Sequence, residues 1–95
     1  MEWTTAISGF RAFLKLEKSL SINSIEAYVD DISKLISFLE IKNYSLPPEN
    51  VTLIHLKEFI KWINELSLSA RSQARIISGI KAFYKYLLLE DIIET

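Results

Sequence analysis

Residues 70–87 read ARSQARIISGIKAFYKYL, and their pattern predicts an amphipathic helix over residues 70–89. On a wheel of about 100° per residue, the apolar and basic side chains fall on nearly opposite sides. We expect the apolar side to pack into a core and the basic side to face outward. The apolar side comprises Ile76, Ile80, Phe83 and Leu87, with Ile77, Tyr84 and Leu88 beside it, and the basic side comprises Arg71, Arg75, Lys81 and Lys85.

The rest of the chain shows the same helical period. Apolar residues at steps of three and four predict helices over about residues 3–18, from residue 21 onward and over about residues 52–66. Between the last two, Pro47 and Pro48 interrupt the pattern. Four amphipathic helices joined by short loops predict an all-α, compact four-helix bundle. The aromatic residues expected in its core are Trp3, Phe10, Phe38, Phe59, Trp62 and Phe83.

Polar residues mark the predicted helix starts. Ser21 or Asn23 can cap the second helix, and Glu26 stands three residues after Asn23, as a capping box requires. Thr52 is the expected cap of the third helix.

Length and composition restrict the class of protein. Ninety-five residues make one domain, over residues 1–95, and 49% apolar with 24% charged residues is ordinary globular composition. No apolar run reaches the roughly 18 residues of a membrane span, and the N-terminus lacks the order of a signal peptide. With no cysteine and one histidine, His55, we expect no disulfide, metal or cofactor. We expect a cytoplasmic protein that does not associate with membranes.

Positive charge is concentrated in the fourth predicted helix. The net charge is −1, yet residues 66–89 contain no acid while their four basic residues contribute +4; Glu90, Asp91 and Glu94 follow. A solvated helix face normally mixes acids with bases, because such pairs stabilise the helix. The residues alone leave three uses open: contact with nucleic acid, a plain solvated face, and docking of an acidic protein.

No residue pattern indicates catalysis. The carboxylate pairs Asp30–Asp31 and Glu90–Asp91 are adjacent in sequence, so on a helix their side chains diverge by about 100°. His55 is placed at a predicted helix start, and no glycine-rich phosphate loop is present. We therefore expect no catalytic residue in this chain.

Two segments resemble a known family. LSINSIEAYVDDISKLISFL (residues 20–39) and SARSQARIISGIKAFYKYLLLED (residues 69–91) resemble the N-terminal core-binding, or SAM-like, domain of tyrosine recombinases, which include phage integrases and Xer-type enzymes. The second resembles the family pattern Ser-x-Arg-Thr-x-x-Arg-x-Leu-Ser-Ala-Ile-Arg-x-Phe-Tyr-x-Tyr-Leu. The departures keep hydroxyl and charge, apart from Gly79 in place of Ala; the others are Ser24 and Ser72 for Thr and Lys81 for Arg.

The resemblance implies a DNA-binding function. In that family the four-helix domain forms half of a clamp around duplex DNA, and a separate C-terminal domain, absent from these 95 residues, breaks and rejoins the strands. The second and fourth helices would face the major groove. The residues that the resemblance assigns to DNA contact are Asn23, Ser24, Tyr28, Lys34, Ser69, Arg71, Ser72, Gln73, Arg75, Ser78, Lys81 and Lys85.

The resemblance also implies partners. These are double-stranded DNA and, in a full-length enzyme, other recombinase protomers in a synaptic tetramer; the isolated domain would be a monomer. Residues 91–95, DIIET, would begin an inter-domain linker, and none of the four tyrosines would be the catalytic nucleophile. The alternative is a helical protein-interaction module that docks an acidic partner through its basic face.

Overall fold

Four α-helices dominate the computed structural model, which describes residues 1–90. They are α1 (Trp3–Leu16), α2 (Ile22–Ile41), α3 (Leu53–Glu65) and α4 (Ala70–Leu89), with one 3₁₀ turn at Pro48–Asn50. No β-strand occurs in this part of the chain, so the all-α prediction is confirmed and the bounds of α4 are as predicted. The linker expected at residues 91–95 lies outside the described residues.

The ends of α1 and α2 are set by backbone conformation. Ser19 has a φ of 53°, and the Leu20 N–H donates back to the Leu14 carbonyl over 3.1 Å, which ends α1 two residues earlier than predicted. Asn43 has a φ of 60°, and the Tyr44 N–H donates to the Leu39 carbonyl over 2.8 Å. Both turns satisfy carbonyls that a helix end leaves without partners.

The starts of α2 and α4 are built alike. The Ser21 Oγ accepts a hydrogen bond from the Ser24 N–H over 3.2 Å, and the Ser69 Oγ accepts one from the Ser72 N–H over 3.1 Å. In both pairs the capping hydroxyl also donates to the second serine hydroxyl over 3.1 Å. Ser-x-x-Ser therefore closes the first turn of both helices.

The capping box predicted for Asn23 and Glu26 is wrong. Because Ser21 is the cap and α2 begins at Ile22, Asn23 already lies inside the first turn. Glu26 instead pairs with Arg11 of α1, with 2.6 Å between Oε2 and Nη1. The pair thus joins α1 to α2.

The core is formed around α2, which contacts the other three helices and packs most extensively against α4. Phe10, Phe38, Phe59 and Phe83 are almost completely buried, as predicted. The two predicted core tryptophans, Trp3 and Trp62, are only partly buried. Among residues 1–90, none of the helices combines the length and the hydrophobicity that a membrane span requires.

The connection between α2 and α3 is held by side chains of α1 and α4. The Trp3 indole N–H donates to the Leu46 carbonyl over 2.8 Å, and the Tyr84 hydroxyl donates to the Pro48 carbonyl over 2.8 Å. The partial exposure of Trp3 follows from this contact, since its polar edge reaches a surface loop.

Candidate nucleic-acid interface

The candidate interface is the surface where α2 and α4 lie side by side. Asp31 of α2 contacts Arg75 of α4. Tyr28, three residues earlier in α2, lines a cavity of about 320 Å³ with Lys85, ten residues later in α4. The two helices therefore run in opposite directions. Next to this contact, a shallow cavity of about 210 Å³ is lined by Ser24, Ala27, Tyr28 and Asp31 of α2 and by Arg75 and Ser78 of α4.

Three basic side chains of α4 are available for contact. Arg71, Lys81 and Lys85 are all exposed, and within residues 1–90 none of them forms an ion pair. Lys85 lies toward α1 and α2, while Lys81 lines an apolar cavity with Leu53 and Ile60 of α3. Positive charge therefore lies along both edges of the exposed face of α4, on the α3 side and on the α1–α2 side.

The fourth basic residue of α4, Arg75, has a partner that sequence reasoning missed. Its Nη1 lies 3.0 Å from the Asp31 Oδ1; the Arg75 side chain is 51% exposed and the Asp31 side chain 2% exposed. Burial raises the pKa of the Asp31 carboxyl, while the positive charges of Arg75 and Lys34 act in the opposite direction. A signal was present, because Asp31 stands three residues after Tyr28 and four before Leu35, on the apolar stripe of α2.

Gly79 explains how a carboxylate fits between the two helices. A Cβ at position 79 would overlap the Asp31 Oδ2 and lie 2.9 Å from the Asp31 Cβ and Cγ. Only a residue without a side chain leaves this room. The glycine that interrupts the predicted α4 pattern therefore lies directly against the Asp31 side chain of α2.

The remaining predicted contact residues lie in three environments. Asn23 and Ser24 are exposed in the first turn of α2, and Ser69 is exposed at the start of α4, with Ser72 half-buried.

Ser24, Tyr28, Arg75 and Ser78 are brought together around the 210 Å³ cavity. Lys34 is half-buried, and Gln73 is turned inward, its Nε2 donating to the Leu68 carbonyl over 3.0 Å.

Each tyrosine has a structural contact. Tyr28 packs edge-to-face on Phe10 with centroids 6.1 Å apart, and Tyr86 packs against Phe10 at 5.6 Å. The Tyr44 hydroxyl donates to the Glu58 Oε1 over 2.9 Å. Tyr84 is held by its bond to the loop, and burial raises the pKa of its hydroxyl. These contacts orient the rings within the bundle.

His55 belongs to the start of α3. Its Nδ1 accepts a hydrogen bond from the Thr52 N–H over 2.9 Å, so the histidine helps Thr52 to cap the helix. In residues 1–90, no three His, Cys, Asp or Glu side chains are grouped so that they could hold a metal ion.

Four packed helices with no β-strand in residues 1–90 form the all-α bundle of a SAM-like domain, and the basic side chains lie on its fourth helix. The family model described as "Phage integrase, N-terminal SAM-like domain" matches residues 7–91. The chain belongs to this family.

Relatives of this chain include tyrosine recombinases. It is 32% identical over 90 residues to tyrosine recombinase XerD of Chlorobaculum tepidum, and the match covers 95% of the chain and 29% of that protein. It is 35% identical to XerD of Rickettsia bellii, over 90% of the chain and 27% of the relative. Tyrosine recombinase XerC of Lacticaseibacillus casei is 26% identical, over 93% of the chain and 30% of the relative. The chain thus spans less than a third of these relatives, and no solved structure matches it.

Proposed function

We propose that this chain is the DNA-binding N-terminal domain of a site-specific tyrosine recombinase, and that it clamps duplex DNA through α2 and α4. The observation that carries the proposal is the exposed, unpaired charge of Arg71, Lys81 and Lys85 within the described residues, on a helix of a SAM-like domain. The recombinase relatives support the same reading.

The expected chemistry is neutralisation of phosphates. Lysine and arginine side chains that approach the DNA backbone release condensed counterions, so affinity falls as salt rises. Arg75 already offsets the charge of Asp31, which leaves three cations to drive this effect. Three neutralised phosphates give an expected log–log salt slope of about −2.7. The Ser24 hydroxyl, which accepts from Ser21 and is exposed, would donate to a phosphate oxygen and help to fix the register.

Strand cleavage is assigned to another part of the enzyme. The four tyrosines have structural contacts within the bundle, and the recombinase relatives are more than three times as long as the matched region. We assign the catalytic residues to a separate C-terminal domain of the full-length enzyme. Its partners are then double-stranded DNA and further recombinase protomers of a synaptic tetramer in the cytoplasm.

The proposal is tested by removing the three free cations of α4. Arg71→Gln, Lys81→Gln and Lys85→Gln together should abolish most binding to a fluorescein-labelled, mixed-sequence duplex and flatten its salt dependence. The matched control carries Lys15→Gln, Lys57→Gln and Lys61→Gln, which remove the same charge from exposed positions of α1 and α3. Binding is measured by fluorescence anisotropy over a salt series, with circular dichroism to verify the fold.

Two results would contradict the proposal. Equal duplex affinity in the two triple variants would show that the basic side of α4 makes no contact with DNA. If polyglutamate bound the chain as tightly as the duplex at matched salt, the acidic-partner module would be the better interpretation.

A further inference from the structure

The ion pair between Asp31 and Arg75 joins two very different environments. Asp31 is almost completely enclosed, whereas about half of the Arg75 side chain faces solvent beside Ser24, Tyr28 and Ser78. Burying a carboxylate without a partner costs several kcal/mol. Within residues 1–90, Arg75 is the only cation that forms an ion pair with Asp31. The carboxylate therefore holds one edge of the guanidinium against α2.

The remaining edge of the guanidinium is free to bind a ligand. Arginine carries five N–H donors in a rigid plane, and the ion pair with Asp31 is formed through Nη1. Asp31 is the only side chain within the described residues that forms an ion pair with Arg75. About half of the Arg75 side chain remains exposed, so its other donors are available on the face that α2 and α4 share.

The ion pair with Asp31 can order the Arg75 side chain while adding almost no net charge to the surface. Asp31 cancels the charge of Arg75 at short range, so the pair adds little to salt-dependent attraction. A long side chain that is already ordered, however, loses less conformational freedom on binding than a free one. Gly79 keeps the space that the carboxylate needs, one helical turn beyond Arg75.

We propose that Asp31 is a positioning residue for DNA recognition, which fixes the guanidinium of Arg75 so that its outer N–H donors meet the duplex in one orientation. This inference rests on the DNA-binding function proposed above. Asp31 itself does not touch DNA; it acts through Arg75.

The test compares Asp31→Asn with Asp30→Asn. Both variants remove one negative charge from neighbouring positions of α2, but Asp30 is exposed and forms no ion pair within residues 1–90. Their electrostatic effect on DNA affinity is therefore closely matched. We expect Asp31→Asn to bind the mixed-sequence duplex about 2- to 10-fold more weakly than Asp30→Asn, the cost of ordering one long side chain.

A spectroscopic readout separates positioning from general stability. The ¹⁵N heteronuclear NOE of the Arg75 Nε–H should be high in the parent and in Asp30→Asn and low in Asp31→Asn, even though all three are folded. Equal affinities for the two variants, or an equally ordered Arg75 in Asp31→Asn, would overturn the proposal.

A second pair of variants serves if Asp31→Asn does not fold. Arg75→Lys keeps the ion pair with Asp31 but replaces the planar fork by a compact charge with no outer edge. It should bind the duplex about 2- to 10-fold more weakly than the matched Arg71→Lys, whereas equal binding would refute the positioning role. A parent chain that binds no duplex would instead refute the proposed function itself.

Discussion

Gly79 and Asp31 are best understood as one structural unit. A glycine inside a helix costs up to about 1 kcal/mol relative to alanine, so Gly79 looks unfavourable when α4 is considered alone. In the structure the missing side chain makes room for a buried carboxylate of the neighbouring helix. The glycine and the acidic residue are both evident in the sequence, but their contact is not, because the register of α2 against α4 is set by tertiary packing.

Gly79→Ala tests this reading. The added methyl group must displace the Cβ of Asp31, which is part of a packed helix, so we expect a net loss of about 1–3 kcal/mol, typical of overpacking. Ser78→Ala is the matched control, since it changes an exposed neighbour without this overlap. Urea denaturation followed by circular dichroism measures both. A Gly79→Ala variant more stable than the parent would show that the space is not needed.

The titration of Asp31 should appear in the pH dependence of stability. Its pKa is raised in the folded chain, mainly by burial, while Arg75 and Lys34 oppose the shift and Asp30 adds to it. The folded state therefore binds the proton more tightly than the unfolded state, and stability from this group rises as the pH falls through the raised pKa. The free energy of unfolding of the parent, minus that of Asp31→Asn, should increase from neutral to acidic pH.

Urea denaturation at a series of pH values provides the measurement. Asp30→Asn serves as the control, because that variant retains the Asp31 carboxyl and should show the same trend with pH, smaller only by the part of the shift that Asp30 contributes. A difference between the parent and Asp31→Asn that stays constant or falls toward acidic pH would contradict the assignment.

At the scale of the helices, local sequence was most informative where a helix starts on a side-chain cap. Thr52 was predicted as the cap of α3, and α4 has the predicted bounds. For α2 the sequence offered both Ser21 and Asn23, and backbone geometry selected Ser21. The 3₁₀ turn at Pro48–Asn50 was not predicted, because the contact that holds its first carbonyl comes from Tyr84, 36 residues away.

The two serine caps predict a clear pattern of stability. Ser21→Ala and Ser69→Ala each remove the acceptor of a first-turn N–H, and each should cost about 1 kcal/mol. Asn23→Ala should be close to neutral, since Asn23 lies inside the helix. Thermal and urea denaturation of the three variants provide the comparison. An Asn23→Ala variant as damaging as Ser21→Ala would reverse the assignment of the cap.

At the scale of the molecule, the aromatic residues form two clusters that α2 links. Phe10 meets Phe83 at 5.3 Å on the α1–α4 side, and Phe38 meets Phe59 at 5.7 Å on the α3 side. Trp3 stacks on Phe83 in the first cluster, and Trp62 packs on Phe38 in the second. Both clusters belong to one buried core, so the domain should unfold as a single unit.

The two tryptophans can test this cooperativity. Trp62→Phe leaves Trp3 as the only fluorescent indole, and Trp3→Phe leaves Trp62. In each variant we expect the urea midpoint from fluorescence to coincide with that from circular dichroism, as a two-state domain requires. Separate midpoints within one variant would show that the α3 side unfolds independently.

The bonds from Trp3 and Tyr84 to the α2–α3 connection have a dynamic consequence. This connection, residues 42–52, is the longest between helices in the described chain, and segments of this kind normally move on the nanosecond timescale. Here two of its carbonyls are held by aromatic donors from α1 and α4. Its amides should therefore show NMR order parameters near those of the helices, about 0.85, so that one end of the bundle is rigid even where it lacks regular secondary structure.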